Sequence, residues 1–126
     1  MLRPQSRLDR RSAPGLRALE KATRRIEELD AILARQLEGE DRDGERLNHL
    51  RQATGQITRC ANDGIQAYRR VAAALRAEAA NSDADDEEVA VATQVLADAR
   101  ARMMTALEVA SRRYPWAAPW NAPPGE

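Results

Sequence analysis

Phenylalanine is absent from this 126-residue chain, tyrosine and tryptophan occur twice each, and cysteine and histidine once each. A lone cysteine excludes an internal disulfide and bears no mark of an oxidising compartment. Structural zinc takes four Cys or His ligands, and the Glu-x-x-His spacing of di-iron helical bundles does not occur. The six glycines are scattered and none forms a phosphate-cradling turn. No apolar run approaches the roughly 18 residues needed to cross a bilayer. The opening Met1-Leu2-Arg3-Pro4-Gln5-Ser6-Arg7 lacks the apolar centre of a secretion signal, so the expected compartment is the cytoplasm, with no membrane contact. No cofactor or metal is expected.

What the chain has in quantity is alanine and charge. Alanine fills 25 positions. It favours helix but removes little apolar area from water on burial, so such a chain forms helices readily and holds them together weakly. Burial between chains is one remedy. Acids and bases balance at 20 each, for a formal net charge of zero. That total argues against a protein coated all over by nucleic acid. The distribution is uneven: residues 1–25 carry seven arginines and Lys21 against Asp9 and Glu20, whereas Asp83, Asp85, Asp86, Glu87 and Glu88 are acidic. The acids lack the spaced oxygen ligands and glycine of a calcium loop and read as a helix start. Nineteen of the twenty bases are arginine, as in a GC-rich bacterial or phage genome.

Periodicity predicts an all-α protein with three long helices between a basic arm, 1–13, and an extended tail, 114–126. Pro14 suits a first helical turn, and Leu19, Ala22, Ile26, Leu29 and Leu33 recur at spacings of three and four, widened by Leu16, Ile32 and Leu37. The first helix is expected over about 14–38, ended by Gly39 and Glu40-Asp41-Arg42-Asp43-Gly44. The second is expected over about 45–80, with Leu50, Ile57, Gly64 and Val71 at a and Ala53, Cys60, Ala67 and Ala74 at d. Asn62-Asp63-Gly64 looks like a break, but the heptad phase passes through it unshifted, which favours one helix, kinked or not at Gly64. Asn81-Ser82-Asp83 is expected to end it and cap a third helix over about 83–113. There Val89, Leu96, Met103 and Ala110 fall at a, and Ala92, Ala99 and Ala106 at d.

The helix-packing candidates are therefore Leu50, Ala53, Ile57, Cys60, Ala67, Val71, Leu96, Ala99, Met103 and Ala106. The shared large–small seam of the second and third helices predicts that these two form the close antiparallel pair. The first, with bulkier side chains, packs across them or across another subunit.

No catalytic site is legible. Cys60 and His49 lie eleven residues apart on one helix face, about 16 Å along the axis, too far for a dyad. Cys60 at a d position reads as an inert core thiol and His49 as a rim residue. Pairs such as Glu20 with Arg24 and Glu38 with Arg42 read as surface i,i+4 partners.

Two features can carry function. The bases Arg3, Arg7, Arg10, Arg11, Arg17, Lys21, Arg24 and Arg25 read either as a solubilising terminus or as contacts to phosphates of nucleic acid. The tail writes Pro-Trp-x-Ala twice and holds Tyr114, Trp116 and Trp120, three of the four aromatics. Tryptophans on a proline-stiffened segment lose little entropy on docking. Their destination is a groove on the same bundle, a neighbouring subunit or another protein.

The segment Leu19-Glu20-Lys21-Ala22-Thr23-Arg24-Arg25-Ile26-Glu27-Glu28-Leu29-Asp30-Ala31-Ile32-Leu33 resembles the first oligomerisation helix of some phage small terminase subunits. The resemblance covers one helix and implies a DNA-packaging accessory role. The leading expectation is a non-enzymatic homo-oligomeric assembly or adaptor protein that docks a protein partner through its tail. The alternative is a nucleic-acid-binding accessory protein that uses the basic N-terminal region.

Overall fold

A computed structural model describes residues 6–38 and 45–113. The described residues form three helices and no strand: α1 (Arg7–Glu38), α2 (Glu45–Ala79) and α3 (Asp86–Arg113). The all-α expectation holds. Arg25 on α1 meets Gln56 on α2, and Arg7 meets Glu78, so these two run antiparallel. Arg102 on α3 meets Glu27 and Arg113 meets Asp30, so α3 is parallel to α1. The result is an up-down-up bundle.

α1 starts at Arg7, seven residues before its expected start, and the segment 7–13 is helix rather than a flexible arm. Pro14 is therefore internal. The Ser6 hydroxyl oxygen accepts the Asp9 amide at 3.0 Å, and Ser6 also donates its hydroxyl proton to the Glu88 carboxylate on α3. Leu8 is 2 % exposed within the core cluster. A cap, a buried leucine and ion pairs at Arg7 and Arg11 together offset the hydrogen bond that Pro14 cannot donate.

α2 passes through Asn62-Asp63-Gly64 as one helix, as the unbroken heptad phase anticipates. Gly64 is buried where all three helices meet. A Cβ there would collide with Met103 Sδ and meet Ala22 and Leu19 at ordinary contact distance. Its glycine therefore belongs to packing rather than to a turn. At Gly15 an added Cβ would lie 2.5 Å from Val71 Cγ2. α3 begins at Asp86, later than the expected 83, because the carboxylate of Asp85, not Asp83, caps it by accepting the amides of Glu87 and Glu88 at 3.0 and 3.3 Å. Asn81 instead accepts the Asp83 amide and shapes the turn between the helices.

The expected α2–α3 pair is not the tightest one. α1 and α2 share the most extensive interface and α2 and α3 the least. The cause is side-chain size: Leu19, Ile26, Leu29 and Leu33 of α1 are buried against α2 and α3, and bulky aliphatics remove far more surface from water than alanines do. Of the packing candidates, Leu50, Ala53, Ile57, Ala67, Val71, Leu96, Met103 and Ala106 are buried. Cys60 and Ala99 are half-buried at the margin of the core.

Candidate functional site

Cys60 sits half-buried on α2, and burial, followed by the charge of Asp63, pushes its thiol above the ordinary thiol range against Arg25 and Arg59. A thiol shifted this way carries less thiolate at neutral pH than a free one. His49 is exposed on the same helix. Among the described residues no three His, Cys, Asp or Glu side chains converge as metal ligands do, and no helix is long and apolar enough to cross a membrane.

The basic candidates separate into two groups. Arg7 donates to the Glu78 carboxylate at 2.6 Å, and Arg11 approaches the same carboxylate at 3.9 Å. The hydrogen bond to Glu78, reinforced by its charge, raises the Arg7 guanidinium above its usual range. Arg25 binds Glu28 and Gln56, both at 3.1 Å. These three have structural employment. Arg10, Arg17, Lys21 and Arg24 are exposed, and among the described residues none has an ion-pair partner. The expected Glu20–Arg24 pair is not formed. At 100° per residue the four cations return to one outer side of α1 and span about 21 Å of its length. Arg3 lies outside the described residues, as do Tyr114, Trp116, Trp120 and Arg42.

The other surface feature is an open groove of about 350 Å³ between the first halves of α1 and α3. Leu16, Val71, Ala92 and Leu96 floor it, Val91 and Val95 form its apolar lip, and Asp9, Asp85, Glu87 and Glu88 make an acidic rim. Val91 and Val95 are 59 and 42 % exposed. A second space of about 270 Å³ opens on the opposite flank of α3, beside Tyr68, Ala72 and Val89. Ala92 in the first space, and Ala72, Ala79 and Ala97 in the second, leave room that larger side chains would fill. Tyr68, the one aromatic outside the tail, partly bridges the second gap with Arg100 at 5.4 Å from its ring centre.

Sequence reasoning missed Glu78, Ser6 and the valine lip. Glu78 is the next a position after Val71, so the heptad phase placed a carboxylate in the core. Ser6-x-x-Asp9 is the residue pattern of a reciprocal helix cap. Val91 and Val95 stand four apart, flanking the alanine seam rather than lying within it.

Comparison with protein-family models, with curated proteins and with solved structures finds no match to the chain.

Proposed function

We propose that the protein is a non-enzymatic helical assembly or adaptor protein of bacterial or phage type, acting through self-association and partner docking. The observation that carries this reading is the groove between α1 and α3, where two valines stand exposed over an apolar floor. Uncovered apolar surface of this kind, rimmed by charge, suits association with another helix or an aromatic anchor. The alanine seams expected to mediate oligomerisation are largely engaged inside the chain, so the contact falls to this flank instead.

The tail is the proposed element for docking a protein partner. Replacing Trp116 and Trp120 together with alanine is expected to abolish capture of partners while leaving helical content, by circular dichroism, unchanged. Loss of helix would show that the tail belongs to the core and would end the adaptor reading.

A second reading is favoured by the four-cation ridge of Arg10, Arg17, Lys21 and Arg24, which suits the phosphate backbone of DNA. Four released counterions give a plot of log affinity against log salt with a slope of about −3.6. Arg17→Ala is expected to reduce that slope by about 1. A protein that fails to shift duplex DNA at low salt lacks this activity.

A further inference from the structure

We propose that the outer flank of α3 pairs antiparallel with α3 of a second copy, about a two-fold axis beside residue 100. This rests on the assembly reading and names its partner. Val91, Val95, Asp98, Arg102, Thr105 and Val109 are all exposed. They follow one another at spacings of four, three, four, three and four, a heptad seam separate from the buried one of Leu96, Met103 and Ala110. The two seams face directions about 100° apart around the helix. Three of the chain's exposed large aliphatics, Val91, Val95 and Val109, lie on this outer seam.

The seam is complementary to its own reverse. Counted outward from residue 100, Asp98 meets Arg102 of the second copy, Val95 meets Thr105, and Val91 meets Val109. One step further out, Glu88 meets Arg112. Every a position then falls against a d position, as antiparallel coiled coils require. A parallel pairing would set Asp98 on Asp98 and Arg102 on Arg102, which like-charge repulsion opposes.

The arginines are free to take part. Arg102 uses one nitrogen on Glu27 at 2.9 Å and Arg112 one on Glu108 at 2.6 Å, and a guanidinium has five N–H donors. In this arrangement the second α3 lies along the α1–α3 groove as a fourth helix and covers Val91 and Val95. By symmetry the first copy does the same in return, so the contact closes as a dimer. Its central Asp98–Arg102 layers set the register at some cost in affinity, so the dimer dissociates on dilution.

The test combines mass in solution with cross-linking, in a Cys60→Ser background for the latter. Sedimentation equilibrium is expected to show a monomer–dimer equilibrium, abolished by Asp98→Arg and restored when Arg102→Asp is added. A chain carrying both Val91→Cys and Val109→Cys is expected to form a covalent dimer on mild oxidation. Val91→Cys alone is expected not to, because the two copies of position 91 lie about 27 Å apart in the antiparallel register. Cross-linking by Val91→Cys alone, or an oligomer indifferent to Asp98→Arg, overturns the α3 pairing while the assembly reading stands. A monomer at every concentration overturns the pairing and the self-association in that reading together.

Discussion

At the scale of single residues, the glycines show how context reverses the effect of one methyl group. Gly55 lies mid-helix with nothing within 4 Å of an added Cβ. Gly55→Ala is therefore expected to stabilise the fold by about 1 kcal/mol through helix propensity alone. At Gly15 the same change meets Val71, whose branched side chain has one strongly preferred rotamer in a helix. Overpacking of about 1–3 kcal/mol outweighs the propensity gain there. Denaturant titration of the two variants is expected to move the midpoints in opposite directions; a shared direction would show that the α1–α2 approach is loose. Cys60 adds a pH-dependent residue. Its raised pKa means that the folded chain holds the thiol proton to higher pH than the unfolded chain does. The contribution to stability is complete below the unfolded thiol value and is lost as pH rises through the folded one. Alkylation in the folded state is expected to be slow at neutral pH and to accelerate only in the alkaline range. Reaction at neutral pH as fast as that of a free thiol would contradict the burial.

At the scale of elements, α1 bears the clearest internal conflict, because it carries a proline eight residues into a helix that continues for six further turns. An internal proline costs about 3 kcal/mol relative to alanine in an isolated helix. Pro14 is exposed and is not itself needed for core packing, so Pro14→Ala is expected to raise Tm and to strengthen hydrogen-exchange protection at the Arg7–Ala13 turns. Unchanged protection there would mean that packing of Leu8 and the Glu78 ion pairs already hold the segment without strain. The same proline explains why the start of α1 is not legible in the sequence: proline is at home in a first turn, whereas burial of Leu8 and the distant partners Glu78 and Glu88 draw the helix back to Arg7. The body of each helix was legible because apolar spacing is a local property, and unbroken phase carried α2 correctly through Gly64. Which helices pair most closely was not legible. It depends on how α1's aliphatics compete for burial, and alanine periodicity alone weights all seams equally. The basic residues were found by composition, yet only partners far along the chain separate Arg7, Arg11 and Arg25 from the outward ridge.

At the scale of the whole molecule, zero net charge conceals an arrangement with two sides: the α1 ridge is basic, and the groove beside the start of α3 is acidic. At the end where α1 begins, Ser6 bonds Glu88 of α3, and a buried carboxylate tethers α1 to α2. Glu78 is 6 % exposed, whereas the side chains of Arg7 and Arg11 keep 50 and 47 % of their exposure. Removing one partner of a fully buried pair costs about 3–5 kcal/mol. Here the arginines can turn back into water, and solvent screening makes the loss smaller. The shorter Arg7 contact at 2.6 Å should matter more than that of Arg11 at 3.9 Å. Arg7→Gln is thus expected to lower Tm more than Arg11→Gln does. For Glu78→Gln, hydrogen exchange is expected to lose protection over residues 7–13 while Leu19–Leu33 and the first half of α2 keep theirs, because the aliphatic interface between those segments does not touch the tether. An even loss of protection along all three helices would show instead that the tether and the aliphatic core open as one cooperative unit.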